Sequence, residues 1–255
     1  MLRTLVEDII YSYTYAEVVG ITIAYFLVLY LGLAPLFLLV CKYLWKKRFL
    51  QKIIAKEATP KQIRFEIRHS LQSVFIFGLS AIPLVWMIRQ DWIKLLPDSF
   101  GYIILGLVLL SIWNEIHFFV IHRLMHLPFF MRKVHYVHHR SNTPTVYSVY
   151  SFHGLEAFLL STVPLTIAPW IPFSPMAIFL YPLVSILLNF CGHCNYRFGN
   201  GMGAGWKILS TRHAEHHRKG KKNYGFASPI LDNLTALHTS KSKSNVSKKQ
   251  QQPNA

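Results

Sequence analysis

An all-α, multi-pass membrane fold is what this sequence predicts, on three observations. Only 15% of its 255 residues are charged and its mean hydropathy is +0.30, whereas a soluble domain carries roughly 25% charged residues. Uncharged runs long enough to cross a bilayer as helices recur along the chain. Its 27 Lys and Arg residues crowd into the polar segments between those runs. The expected architecture is about four spans, or three spans and a hairpin, under a cytoplasmic cap rich in histidine.

Residues 1–17 read as an N-terminal segment with acids at Glu7, Asp8 and Glu17. They lack the basic start and cleavage site of a removed signal peptide. Val18 to Val40 is the first span. Leu71 to Ile88 is the second, bounded by His69 and Arg89, with Pro83 as a kink site. Phe100 to Ile121 is the third, and its last turns carry Asn114, Glu115 and His117. Ala157 to Phe190 is broken by Pro164, Pro169, Pro172 and Pro175. It reads as a helical hairpin turning near 169–175, with neither half comfortably long enough to cross alone. Residues 18–239 thus form one membrane-embedded domain, with no internal repeat. The Lys/Ser/Gln-rich tail 240–255 reads as disordered.

Charge sets the orientation. Of the 27 basic residues, 9 fall in 42–68, 4 in 122–140 and 11 in 197–249, leaving Arg3, Arg89 and Lys94 elsewhere. With the basic segments cytoplasmic, the path runs out–in, in–out, out–in, and the hairpin returns to the cytoplasm. The formal charge of +16 therefore reflects membrane topology, and no fold motif for nucleic acid accompanies it. Cys41, Cys191 and Cys194 make no disulfide framework.

Eight of the 13 histidines lie in three five-residue clusters: His122 and His126; His135, His138 and His139; His213, His216 and His217. Residues at i, i+3 and i+4 share a helix face, so each cluster can aim its imidazoles at one point. Neutral imidazole is the commonest metal ligand near neutral pH. Three such faces supply nitrogens for two metal ions, all on the cytoplasmic side. The donors are nitrogen only, which excludes a cysteine-rich structural zinc site. A zinc protease needs His-Glu-x-x-His, and neither 122–126 nor 213–217 has that order. Neutral ligands leave metal charge uncompensated, so carboxylates are expected behind them, accepting the other ring N–H groups. Glu115 leads these, followed by Glu156, Glu215 and Asp232.

From about Asn114 to Thr239 the chain resembles the fatty acid hydroxylase / sterol desaturase superfamily of integral-membrane, histidine-box di-iron oxygenases. Glu115 with His122-Arg-Leu-Met-His126 is similar to its first box, and His135-Tyr-Val-His138-His139 to its second. His213-Ala-Glu-His216-His217 with Asn223-Tyr224-Gly225 and Asp232 is similar to its third. The resemblance implies two iron ions (with zinc able to replace them in purified protein), O2 as co-substrate, and oxidation of an unactivated C–H bond. The substrate implied is a membrane lipid: a sterol, a sphingolipid or a fatty acyl chain. It implies His193 as a ninth ligand and His153 as a tenth. Gly154 stands where the family usually has proline, and Leu231 where an aromatic precedes the aspartate. No haem or flavin motif is present, so electrons are expected from an external donor, a b-type cytochrome or a ferredoxin with its reductase. The membrane is then the endoplasmic reticulum or a bacterial inner membrane.

The competing reading is a membrane metal-binding or transport protein with cytoplasmic histidine clusters. Transporters place ionisable groups inside their spans, whereas these spans are nearly bare of charge. Cys191-Gly-His-Cys194 resembles a dithiol motif but ends an apolar segment without a thioredoxin-like strand and helix. The glycines at 199, 201, 203 and 205 read as a connector, with no preceding strand to make a nucleotide loop. His117 lies off the i+4 face of His122 and reads as a support behind the ligands or as packed. His69 and His238 read as interfacial or solvated, and the aromatic residues as membrane anchors.

Overall fold

The structure is a computed structural model that describes residues 2–198, 209–220 and 222–236. The glycine-rich connector, His238 and the basic tail lie outside the described residues. Among the described residues, four helical segments are long and apolar enough to cross a membrane: Tyr15–Lys46, Pro60–Arg89, Phe100–Met125 and Pro175–His193.

A short helix, α1 (Leu2–Tyr11), precedes the first of them. Thr14 then caps α2 (Tyr15–Leu27) in a capping box with Glu17, so residues 15–17 belong to the span. A π turn at Val28–Gly32 joins α2 to α3 (Leu33–Lys46). The turn lies just before Pro35, whose missing N–H and bulky ring disrupt a regular helical ladder there.

The second and third spans also begin at polar caps. Thr59, followed by Pro60 at the first helical position, starts α4 (Pro60–Arg89), and Ser99 starts α5 (Phe100–Met125). These caps, rather than the ends of apolar runs, set the boundaries. Hence α4 begins 11 residues before the apolar run at Leu71. After α5 come α6 (Pro128–Phe130), a π turn at Met131–His135 and α7 (Tyr136–His139).

The hairpin is uneven. Its first leg is two short helices, α8 (Gly154–Ser161) and α9 (Val163–Ile167). Its second leg is α10 (Pro175–His193), capped by Ser174 and long enough to cross alone, which corrects the expectation for that half. Phe173 accepts from the amide of Leu96 (2.9 Å), and Asp98 Oδ1 from the amide of Met176 (2.9 Å). The hairpin turn therefore sits at the same end of the bundle as the 90–99 loop. Arg89 ties α1 to that end by donating to the carbonyl of Ile10 (2.6 Å).

Packing brings α2 against α4 and α5 against α10. A Cβ on Gly106 would lie 2.7 Å from that of Ala177, so only glycine lets α5 and α10 approach this closely. The all-α expectation holds apart from a two-stranded antiparallel ribbon among the described residues. In it β1 (Leu50–Lys52) pairs with β2 (Tyr196–Phe198), Gln51 opposite Arg197. The ribbon fastens the segment after α10 to the 47–59 loop, with the Asn195 side chain accepting from the Ile54 amide at 2.9 Å. The final described helices are α11 (Leu209–Lys219) and a short turn at 230–236.

Candidate metal centre

Nine histidines meet at one end of the bundle in two groups. One comprises His122, His126, His135, His139 and His216; the other comprises His138, His193, His213 and His217. Within each group the nitrogens that could face a metal all lie within 4.8 Å of one another. The groups adjoin, with the rings of His139 and His217 4.9 Å apart.

The second and third clusters do not each converge on one point, as expected; each divides between both groups. Helical geometry explains the division. At about 100° per residue, positions i and i+4 are separated by only about 40°, while i+3 falls about 60° to the other side. So His135 and His139 share one group and His138 joins the other. Likewise His213 and His217 stay together while His216 crosses over. The same i, i+4 relation pairs His122 with His126, at the end of α5 and its C-cap. Each of the two later helices thus supplies both groups, which holds them side by side.

Seven of these imidazoles are buried and two, His126 and His139, are half-buried, surroundings that favour the neutral form. Burial pushes His126, His135, His139 and His216 down to about 3, and takes His138, His213 and His217 well below the ordinary histidine value. Several have their Nδ1 committed outward. His122 Nδ1 donates to the carbonyl of Tyr224 (2.9 Å) and His216 Nδ1 to that of Lys222 (2.7 Å). His138 Nδ1 reaches the carbonyl of Ser151 at 3.4 Å. Ser148 donates its own proton to Thr145 O, so its Oγ accepts from His193 Nδ1 at 2.7 Å. A neutral ring that donates through Nδ1 carries its lone pair on Nε2.

Among the described residues, three clustered Nε2 atoms have no partner and others face one another. The Nε2 atoms of His122, His135 and His139 are buried without a partner. Nε2 of His126 faces Nε2 of His216 at 3.0 Å, as His213 faces His217 at 3.0 Å. Converging lone pairs in a buried site fit divalent cations, one to each group.

The four expected carboxylates have different roles. Glu156, on α8, meets His135 directly, Oε1 to Nδ1 at 2.7 Å. Burial raises its carboxyl to about 8. Glu115 touches no clustered imidazole, because two helical turns separate it from His122. Instead its carboxylate accepts from the amides of Phe226 (2.9 Å), Ala227 (2.8 Å) and Ser228 (3.2 Å). Asp232 accepts from the amides of Tyr224 and Gly225 and from Arg212. Both acids therefore hold the loop whose Tyr224 carbonyl orients His122. Gly225 lies between them: a Cβ there would meet Ser228 O and lie 3.0 Å from Glu115 Oε1. Glu215 sits on the outer face of α11 with Lys219 and Lys222.

His153 belongs to neither group. It is exposed at the N-cap of α8, where its Nδ1 accepts from the Leu155 amide at 3.2 Å. Its position before a helix makes it a cap. His117 is packed against Thr162, Nε2 to Oγ1 at 3.1 Å. The backbone carbonyls and Ser148 that orient the rings escaped sequence reasoning, because carbonyl acceptors leave no residue-type signature.

A cavity of about 230 Å³ runs between the spans, from Val6 and Ile10 on α1 to Asn114, Phe118, Asn189 and Phe226 beside the histidines. Phe118, Asn189 and Phe226 also line a smaller space of about 10 Å³ that His193 and His213 border. The apolar chamber and the small space beside the second histidine group thus share one wall, a narrow neck at Phe118, Asn189 and Phe226. Phe118 packs on His122 (centroids 4.9 Å apart) and on Phe226 (5.1 Å), framing that neck.

The family profile described as fatty acid hydroxylase matches residues 107–236, half of the chain, with all nine clustered histidines. The chain belongs to that family, within the fatty acid hydroxylase / sterol desaturase superfamily. Among its relatives is fatty acid hydroxylase domain-containing protein 2 of Homo sapiens, 27% identical over 71% of this chain and 53% of the relative. A Delta(7)-sterol 5(6)-desaturase of Aspergillus fumigatus is 24% identical over 65% of this chain and 59% of its own length. Human lathosterol oxidase is 26% identical over 68% and 60%. The chain spans little more than half the length of these relatives. No solved structure matches it.

Proposed function

We propose that this chain is a membrane-bound, O2-dependent di-iron oxidoreductase that hydroxylates or desaturates a lipid. The observation that carries the reading is the adjacency of the apolar cavity to the second histidine group: Phe118, Asn189 and Phe226 line both that cavity and the small space that His193 and His213 border. Relatives named as sterol desaturases and an oxidase support an oxidative reaction on a lipid.

One iron would be held by His122, His126, His135, His139 and His216, the other by His138, His193, His213 and His217. Bound there, the metals would supply O2 activation and removal of hydrogen from an unactivated carbon. The chain's own residues do the rest. Tyr224 O, Lys222 O, Ser148 and Glu156 hold the imidazoles in orientation. Phe118, Phe152 and Phe226 exclude water from the cavity side, with Phe152 lying against His138 at 4.9 Å. The cavity wall holds the lipid with its reacting carbon at the neck.

Hydroxylation inserts one oxygen of O2 and releases the other as water, while desaturation removes a second hydrogen and leaves a double bond. Both consume electrons and protons from outside the chain. A b-type cytochrome, or a ferredoxin with its reductase, would deliver the electrons. It would dock on the histidine-side face, where Arg132, Lys133, Arg218 and Lys219 are exposed. The basic segments support a cytoplasmic position for that face, at the endoplasmic reticulum or a bacterial inner membrane.

The test is metal analysis joined to lipid turnover. Purified protein should hold two irons per chain and oxidise a lipid only with O2 and a reductant. His138→Ala should abolish turnover. Identical host lipid profiles with the active chain and with His138→Ala would remove the reading.

A further inference from the structure

The wall of the large cavity carries the hydroxyls of Thr22, Tyr25, Ser80, Tyr150, Ser161, Tyr181 and Ser185 and the amides of Asn114 and Asn189, with Ser185 hydrogen-bonded to Tyr181. Thr22 and Tyr25 donate to the carbonyls of Val18 (2.7 Å) and Phe179 (2.9 Å). Ser80 and Ser161 donate to those of Phe77 and Phe158, both at 2.7 Å. These hydroxyls are satisfied by helix backbone and present mainly carbon to the interior. Asn114 and Asn189 differ. Asn114, on α5, is only 8% exposed, and Asn189, on α10, is half-buried; both line the cavity. Neither amide has a hydrogen-bond partner among the described residues.

Their position is specific. Asn114 is one helical turn before Phe118, and Asn189 one turn before His193. Asn189 lines the neck itself, together with His193 and His213. The close α5–α10 contact at Gly106 and Ala177 brings both helices to one chamber. Two unpartnered amides therefore stand at the metal end of an apolar space that Val6 and Ile10 line at its far end. An amide in such surroundings is unfavourable unless something hydrogen-bonds to it.

We propose that Asn114 and Asn189 form a hydrogen-bonding clamp for a hydroxyl or carbonyl on the lipid substrate. Resting on the reading of this cavity as the lipid site, the clamp makes the polar end of the lipid lead and its apolar body fill the chamber toward α1. The carbon oxidised then lies within a few bonds of that polar group, and the methyl end of a plain hydrocarbon chain is a poor substrate. An amide both donates and accepts, which suits an alcohol; a carbonyl would take only the Nδ2 donors. A site built to bond a polar group discriminates against the analogue that lacks it, because its own groups are then left unpaired.

The test uses the full chain in lipid nanodiscs. These contain cholestanol and cholestane at equal mole fraction, or octadecanol and octadecane, and native mass spectrometry reads what leaves with the protein. Wild type should carry the alcohol over the hydrocarbon by about tenfold in at least one pair. Asn114→Leu and Asn189→Leu, near in volume but without the amide, should bring the ratio close to that of the surrounding bilayer. Alanine at each position, read the same way, keeps the test open if leucine is not accommodated. Equal uptake of alcohol and hydrocarbon by wild type, or a preference that survives both substitutions, overturns the clamp while leaving a lipid site in place. Uptake of none of the four probes overturns both the clamp and the lipid reading.

Discussion

Glu156 Oε1 and His135 Nδ1 lie 2.7 Å apart, with both side chains almost wholly buried. Among the described residues this is the one direct contact between a carboxylate and a clustered imidazole. As a carboxylate Glu156 accepts from Nδ1–H and so holds the His135 tautomer whose Nε2, buried and unpartnered among the described residues, faces the first histidine group. Glu156→Ala should lower affinity for one of the two metals by about 10- to 100-fold. Glu156→Gln, whose amide oxygen can still accept from Nδ1, should lower it less. Titration against a competing chelator measures both, and equal affinities in all three proteins would contradict the assignment.

The division of nine imidazoles into two groups predicts separable metal losses. His126→Ala removes a ligand from the group of five, and His213→Ala one from the group of four. Each should lower bound metal by roughly half, since a site short of a ligand binds weakly while its neighbour keeps its set. The double variant should hold little. Elemental analysis per chain decides this, and complete loss in either single variant would mean that the two groups bind as one.

That division was available in the sequence, for the i, i+4 spacing of His135 and His139 and of His213 and His217 already separates them from His138 and His216. What the spacing could not supply was the meeting of four distant helical elements, which depends on contacts such as Gly106 on α5 against Ala177 on α10. The spans were legible because uncharged runs of that length have few alternatives to a membrane. Their ends were not, because Thr14, Thr59 and Ser99 caps extend helices beyond the apolar residues. Glu115 and Asp232 were found as acids near the site. Their work on the 224–228 backbone was hidden, since an amide acceptor is chosen by position and not by residue type.

Gly225 tests that supporting layer. A Cβ at this position would meet Ser228 O and crowd both Glu115 and Asp232. Gly225→Ala should therefore displace the loop, at a cost of about 1–3 kcal/mol, and loosen the Tyr224 carbonyl from His122. The expected readings are a lower Tm in detergent and weaker binding of one metal. An unchanged Tm would show that the loop relaxes without strain.

Acid should destabilise the metal-free protein. Burial holds His135, His139 and His216 at about 3. In the unfolded chain the same groups take up protons below about 6.5. Between these values the unfolded state binds more protons, so stability falls as pH falls through that window. At pH 5.5 the loss is about 1 kcal/mol for each of the three. The buried Glu156 carboxyl, raised to about 8, takes up a proton over the same window and opposes this loss. Thermal unfolding at pH 7.5 and 5.5 is therefore measured in Glu156→Gln, where a Tm that stays level or rises at the lower pH would contradict neutral imidazoles.

The neck offers a test that separates access from metal binding. Phe118 and Phe226 frame it with ring centroids 5.1 Å apart, and the space beyond, about 10 Å³, is no larger than a water site. A lipid carbon reaches His193 and His213 only if these rings give way. Phe226→Ala should widen the neck, and Phe226→Trp should narrow it, while neither residue contributes a metal nitrogen. Turnover should accordingly fall by about tenfold or more in Phe226→Trp, since slight misplacement of the reacting carbon is costly. Both variants should retain wild-type metal content. Phe226→Ala should oxidise more than one position along the lipid, as a looser wall holds the carbon less firmly. Full turnover in Phe226→Trp would place the lipid's route elsewhere than through this neck.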